Sequence, residues 1–269
     1  MKIEFTKMAG AGNDFIFLGP DYAFLRNQLG SLARSLCRRR ESVGADGLIM
    51  VEKKGEEVLM HYFNSDGGEA SFCGNGARCL VLFCQTKGIA AGPMRFRSRS
   101  GVHIGEVTDQ GISVSMRLPA LLQETSIDIE GGRYQIAVVD SGVPHAIVET
   151  DRMAQVDVEA LGRKIRYHPV FGDGGVNVDF LEAGKGGNYR IRTYERGVEK
   201  ETLACGSGCV ACAYWLRLKR AAGDVVHLEV ASGDILEVRF TAQDEVHLIG
   251  PACSVYEGQM QVEEMEVKK

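Results

Sequence analysis

No stretch of this 269-residue chain approaches the ~20 apolar residues that cross a bilayer as a helix. The first residues, Met1-Lys2-Ile3-Glu4-Phe5, lack the apolar core of a signal peptide and read as a first strand. Neither sign of charge dominates: Lys+Arg 31 against Asp+Glu 36 leaves a formal net charge of −5, which favours neither nucleic acid nor an anionic membrane surface. The eight cysteines are too sparse for a disulfide scaffold in a chain of this length, so a reducing, cytoplasmic setting is expected. Cys37, Cys84, Cys212 and Cys253 lie in largely apolar surroundings and are expected to be small core residues. One C-x-x-C spacing, Cys209-Val210-Ala211-Cys212, has an apolar middle and falls inside an expected helix. No second pair accompanies it, which argues against zinc. A hydrophobic fraction of 45% with 25% charge is ordinary for a globular protein, and the length suits one large domain or two smaller ones.

Two short stretches echo each other. Phe72-Cys73-Gly74-Asn75-Gly76-Ala77-Arg78-Cys79 and Ala204-Cys205-Gly206-Ser207-Gly208-Cys209 each set a cysteine before Gly-x-Gly and a helix-forming run. Cys73 and Cys205 are 132 residues apart, close to half the chain. The elements around them repeat as well. In the first half the expected order is strand 2–8, a glycine loop at Gly10–Asp14, strand 16–18, and an amphipathic helix over 26–39. Strand 48–51 follows the Gly44-Ala45-Asp46-Gly47 loop, where Asp46 is a turn residue or a polar group at a pocket rim. Strand 58–63 leads through the polar Asn64–Glu69 loop to Cys73, a helix over 77–85, and strands 94–98, 102–108 and 111–117. In the second half strands 134–139 and 146–148 flank a loop containing His145, read as a structural histidine ahead of a general base. A helix over 157–166, strands 178–181 and 189–194, Cys205, a helix over 210–218, and strands 225–231 and 234–240 complete the echo. One or two more strands are expected in 245–262. Divergent duplication accounts for the order: an α+β protein of two pseudo-symmetric domains, 1–120 and 121–262, with a strand near 260–269 packing back onto the first.

A cysteine leading into a helix sits beside free backbone amides and the positive end of the helix dipole, which lower a thiol pKa and can hold a carboxylate. Three readings of such a pair stand open. A structural disulfide conflicts with the expected compartment. A metal site lacks a further convincing set of ligands. Acid–base work needs one thiolate and one thiol, which suits inversion of a stereocentre: one residue takes a proton from one face and the other delivers one to the opposite face. Arg78 is a surface charge or an internal tie, and Glu195 and Arg196 form a structural ion pair or a clamp for an ammonium and a carboxylate.

The motifs then resemble a known family across nearly the whole chain. Gly12-Asn13-Asp14-Phe15, Gly44-Ala45-Asp46-Gly47 and Asn64-Ser65-Asp66-Gly67 through Cys79 are similar to signatures of the diaminopimelate epimerases. So are Pro144-His145, Asn177-Val178, Glu195-Arg196-Gly197 and Glu201 through Gly208. The resemblance implies a cofactor-independent isomerase of lysine and peptidoglycan precursor synthesis. In such an enzyme each domain is a mostly antiparallel sheet or barrel around a central helix, with the active site in the cleft between domains. Cys73 and Cys205 would be the acid–base pair. Asn13, Asn64, Asn177, Glu195 and Arg196 would hold the distal end of the substrate, and the amides of Gly74, Asn75, Gly206 and Ser207 its reacting carboxylate. Asp46, Asp66 and His145 would support these groups, and Arg78 would be scaffold. A small amino acid is the implied partner, with no metal, nucleic acid or membrane and with a homodimer as an open expectation. Two departures stand out. Val143 occupies the place of an Asn in many members, and the loop Gly197–Glu201 is one residue longer than the common form. They leave room for a racemase of another amino acid on the same scaffold. A Cys–His hydrolase using His145 and a catalytically silent binding protein also stay open.

Overall fold

The computed structural model describes residues 1–262, so an expected strand or frayed end over 263–269 lies outside the described residues. The chain forms two compact units, one from Met1–Ile112 with the chain from Ala252 onward, the other from Ser113–Pro251. The first unit thus ends at Ile112, and the described residues from Ala252 to Val262 return to it.

In the first unit β1 (Lys2–Gly10) turns through Ala11 and Gly12, both at positive φ, into β2 (Asn13–Leu18). Two left-handed residues in a two-residue loop give the turn whose twist matches that of the strands. Then come α1 (Leu29–Leu36), β3 (Gly47–Lys54), β4 (Glu57–Asn64), α2 (Gly74–Thr86), β5 (Met94–Ser98) and β6 (Gly101–Thr108). The last strand of the described chain, β17 (Cys253–Gln261), lies antiparallel to β1. β2 runs parallel to β3, β3 antiparallel to β4, β4 parallel to β5, and β5 antiparallel to β6. The helix expected over 26–39 is shorter. Pro20–Gln28 winds as a 3-10 helix, α1 stops at Leu36, and Arg40 has turned to a φ of 71°.

The strands behind the helices are buried on both faces, which is why they read as unbroken apolar runs. Ile16, Leu18, Leu48 and Met50 pack with Leu29, Leu32, Ala33 and Leu36 of α1. The intervening residues face α2, with the rings of Phe17 and Phe83 5.2 Å apart. Each such side chain contributes about 1.5–3 kcal/mol by leaving water.

The second unit contains β7 (Gly111–Met116, which begins at the division), β8 (Ala120–Ile129), β9 (Gly132–Asp140), β10 (Pro144–Glu149) and α3 (Val158–Arg166). β11 (Asn177–Ala183), β12 (Tyr189–Glu195), β13 (Lys200–Thr202), α4 (Gly206–Leu218), β14 (Val225–Glu229), β15 (Ile235–Phe240) and β16 (Val246–Gly250) follow. Its pairing repeats that of the first unit. β9 is antiparallel to β8 and β10, β10 parallel to β11, β11 antiparallel to β12, β12 parallel to β14, and β14 antiparallel to β15. α2 packs on β1, β2, β3, β6 and β17, and α4 on β9, β10, β11, β15 and β16. Each unit is therefore a sheet wrapped on a central helix, the α+β duplication that the repeated order implies. Two strands have no counterpart in the sequence expectations: β8, and the short β13.

Candidate functional site

Both helices start earlier than expected, at Gly74 and Gly206 instead of Ala77 and Val210, and each is capped by a cysteine. Cys73 is extended (φ −145°, ψ 119°), and its Sγ accepts from the amide of Gly76 at 3.5 Å. Ala77 N–H donates to the Cys73 carbonyl at 2.8 Å, the first bond of the helix ladder. The amides of Gly74 and Asn75 precede that bond and have no partner in the helix. Cys205 repeats the backbone arrangement, extended at φ −123° and ψ 108°, with Cys209 N–H on its carbonyl at 3.0 Å.

Around α2, hydrogen bonds run in one direction from a buried cation to a carboxylate. Arg78, fully buried, donates to Gly74 O at 3.4 Å and to Asn75 Oδ1 at 2.6 Å. Asn75 Nδ2 donates to Asn13 Oδ1 at 2.7 Å, and Asn13 Nδ2 to Asp46 Oδ2 at 2.9 Å. Arg39 bridges Asp46 and Asp14, and Lys7 pairs with Asp14 at 2.8 Å. Burial opposes ionisation of Asp14, but the Arg39 and Lys7 hydrogen bonds outweigh it and hold the carboxyl below its usual range. The structure thus brings Asn13, Asp46, Gly74 and Asn75 together and makes Arg78 an internal tie. Asn64, at the end of β4, has an exposed side chain and does not join the chain of amides. Asp66 serves a turn, its Oδ1 accepting from Gly68 N at 2.7 Å.

Around α4 the network is different. Cys205 Sγ lies 3.4 Å from Ser207 Oγ, and Ser207 Oγ lies 3.0 Å from His145 Nε2. His145 Nδ1 is 2.6 Å from Asp179 Oδ2, and Thr193 donates to Asp179 Oδ1 at 2.7 Å. His145 and Asp179 are fully buried. A carboxylate oxygen accepts, so the Nδ1–H of His145 is assigned to Asp179 Oδ2, which leaves Nε2 facing the Ser207 hydroxyl. Asn177 Oδ1 accepts the Arg196 amide at 2.9 Å, and its Nδ2 donates to Pro144 O at 3.3 Å. Arg196 Nη1 reaches the carbonyls of Gly174 and Gly175 at 3.3 and 3.4 Å. Burial pushes the Cys205 thiol well above its usual pKa, the charges of Glu195 and Asp179 add to this, and the Ser207 hydroxyl and Gly208 amide oppose it.

The third residue after each cysteine is a glycine pressed against a strand. A Cβ on Gly76 would come 2.8 Å from Ile49 Cδ1, and a Cβ on Gly208 would come 2.5 Å from Asp179 Oδ1. Asp179, Thr193 and Arg39 carry no role in the sequence expectations. The signal for Asp179 is a lone acid within the apolar run Val178–Leu181, since carboxylates are seldom fully buried without partners.

The other thiols divide. Burial pushes Cys37 and Cys84 up to about 12 and Cys79 and Cys212 upward as well. Cys253 is exposed on β17, contrary to the core position expected from its neighbours, at the start of a stretch, Cys253–Glu257, that is exposed at every residue. Among the described residues no three His, Cys, Asp or Glu side chains converge as metal ligands, and no helix is long and apolar enough to cross a membrane.

A family model described as diaminopimelate epimerase matches residues 5–120 and 137–255. The chain is 38% identical to the diaminopimelate epimerase of a Hydrogenobaculum species, over 96% of this chain and 98% of the relative. It is 36% identical to that of Aquifex aeolicus, over 98% of this chain and all of the relative. Among solved structures, a hydroxyproline epimerase from Agrobacterium vitis superposes with a TM-score of 0.71 at 14% identity, covering 96% of this chain and 92% of that one. At that identity the likeness establishes the fold.

Proposed function

Because the chain belongs to the diaminopimelate epimerase family, we propose that Cys73 and Cys205 are the acid–base pair with which it interconverts LL- and meso-diaminopimelate. The observation that supports this pair is their equivalence: in each unit a cysteine caps the central helix, next to amides that the helix leaves free. Inverting an α-carbon requires a base on one face and an acid on the other, with the roles exchanged in reverse. A thiol suits both roles, since its reference pKa of about 8.5 is close to neutrality. The α-proton of an amino acid is weakly acidic, so the charge that develops on the carboxylate must be stabilised. The amides of Gly74 and Asn75, and of Gly206 and Ser207, do this in a fixed geometry at the positive ends of two helices.

The distal amino-acid end falls to Asn13, Asn64, Asn177, Glu195 and Arg196. The exposed amide of Asn64 and the N–H groups that Arg196 does not give to the Gly174 and Gly175 carbonyls suit a carboxylate, and Glu195 suits an ammonium. Asn13 and Asn177 are tied to their neighbours and present amides in fixed orientations. Asp46, Asp66 and His145 support these groups. The reading includes no cofactor and no nucleic-acid partner. Eight free thiols suit a reducing cytoplasm. A homodimer is part of the reading, checked by sedimentation.

The test is exchange at the α-carbon of LL-diaminopimelate in deuterated water, followed by mass spectrometry, with enzyme freed of metal by chelation. Deuterium should enter at one α-carbon as meso product forms. Full activity after replacing both cysteines by alanine would end the reading. A panel of single amino acids tests whether Val143 and the Gly197–Glu201 loop have altered the substrate, and preference for a substrate with one amino-acid centre would replace diaminopimelate.

A further inference from the structure

Cys205 presents a physical difficulty. In one direction of the reaction it must act as a base, yet it is 9% exposed and lies near two carboxylates, Glu195 on β12 and Asp179 on β11. The thiols of Cys209 and Cys212, on its own helix, add no positive charge. A lone thiolate would be a third negative charge in a buried place, which is costly without a cation. Along the hydrogen bonds described from Sγ, the titratable group that can become that cation is His145, two bonds away through Ser207.

We propose that Asp179 is a positioning residue: by holding the Nδ1–H of His145 it orients a proton relay from Cys205 through Ser207 to His145, so that the Cys205 proton rests on His145 when the thiol must be a base. The proposal rests on the reading of Cys205 as a proton-transfer group. The step balances within the chain. The S–H bond of Cys205 breaks and its proton goes to Ser207 Oγ, while the hydroxyl proton of Ser207 goes to His145 Nε2. Thiol and imidazole become thiolate and imidazolium, serine is unchanged, and net charge is conserved. The imidazolium lies between the thiolate side and the Asp179 carboxylate, 2.6 Å from Nδ1. Until Cys205 takes a proton from substrate the transfer is reversible: His145 Nε2 returns its proton to Ser207 Oγ, Ser207 gives its hydroxyl proton to Cys205, and thiol and imidazole are restored.

Three features fix the relay. Thr193 holds the second oxygen of Asp179 at 2.7 Å, so the carboxylate cannot turn away from the ring. Gly208 lets α4 approach Asp179 to a distance that a Cβ would not allow. His145 and Asp179 are both sealed from water, so the stored proton does not exchange freely with solvent.

The experiment is the pH dependence of iodoacetamide alkylation in the full-length protein, with the Cys205 and Cys73 peptides quantified separately by mass spectrometry. In Asp179→Asn the relay loses the group that stabilises imidazolium, so the Cys205 midpoint should rise by about one pH unit or more while that of Cys73 stays. Simple removal of a negative charge acts in the opposite sense and would lower the midpoint. A midpoint that falls or does not move overturns the proposal. Ser207→Ala changes no charge and cuts the relay: a rise at Cys205 supports it, and no rise overturns it even where the Asp179 variant fails to fold. With substrate, Asp179→Asn should lower kcat by about tenfold or more with KM held within about threefold. If the cysteine double variant keeps full activity, the reading of the site falls. If the cysteines are essential and the Cys205 midpoint does not rise, the relay alone falls.

Discussion

The two units share a scaffold and differ beneath the helix start. β2 pairs Phe15 with Gly47 of β3, and β10 pairs His145 with Asn177 of β11. Two residues on, Ile49 faces Tyr62 in the first unit and Asp179 faces Thr193 in the second. Gly76 presses on Ile49, and Gly208 presses on Asp179. So Phe15, Ile49 and Tyr62 stand where His145, Asp179 and Thr193 stand. After duplication the strand pairing, the capping cysteine and the close glycine were kept, while the layer supporting the thiol became mainly apolar in one copy and polar in the other. The polar connections of the first copy run instead through Asn75, at the position of Ser207, to Asn13, Asp46 and the charges beyond. The fold supplies two thiols in like geometry, and the support beneath each makes them chemically unlike.

The largest test of this comparison is removal of either thiol. Cys73→Ala and Cys205→Ala should each lower turnover of LL-diaminopimelate by about 10²–10⁴ or more, with the circular dichroism spectrum unchanged, because one proton transfer cannot replace two. A loss confined to one variant would break the equivalence.

Next in size are the two glycines. Gly208→Ala should destabilise the protein by about 2–3 kcal/mol in urea unfolding, since its Cβ meets a carboxylate held on both oxygens. Gly76→Ala meets the end of a flexible isoleucine, and helix propensity returns up to ~1 kcal/mol, so its change should stay within about 1 kcal/mol of zero. Equal losses would show that the layers beneath the helices yield alike.

Thr193→Val keeps the shape and removes the donor to Asp179 Oδ1, and should cost about 1–2 kcal/mol in the same assay. The smallest effect concerns acid. The Asp14 carboxyl is depressed in the folded state, so its contribution is present above the unfolded pKa of about 3.9 and is lost as pH falls through its lower folded pKa. Asp14→Asn should remove on the order of 1 kcal/mol at neutral pH, since Arg39 is over half exposed, and should flatten the stability curve below about pH 4. Thermal unfolding scans across that range measure it.

Much of this organisation is legible in the residues, for reasons that differ by element. The strands behind the helices announce themselves because both of their faces are buried, and the repeated order exposes the duplication. β8 does not: most of its first half, Ala120–Thr125, is exposed, so neither alternation nor an apolar run marks it. Residue propensity sets the two helix starts too late because glycines are poor helix formers, whereas here Gly208 admits a close approach to Asp179 that a side chain would block. Cys73, Cys205, Asn75 and Ser207 stand out through their local motif. Asp179 and Thr193 do not, since their meeting depends on the register between β11 and β12, and no spacing along the chain encodes it.

The pairing of β1 with β17 bears on how the protein is made. Lys2 lies opposite Gln261, and Met1 and Val262 exchange backbone hydrogen bonds. During synthesis the strands of the second unit, from one uninterrupted stretch, are complete once Pro251 has emerged, whereas β1 waits for its outer neighbour until β17 has followed it. Closing so long a loop is slow, and an unpaired edge strand is a template for other chains. The first unit is therefore completed after the second, and β1 is left without its outer partner for the whole of that interval.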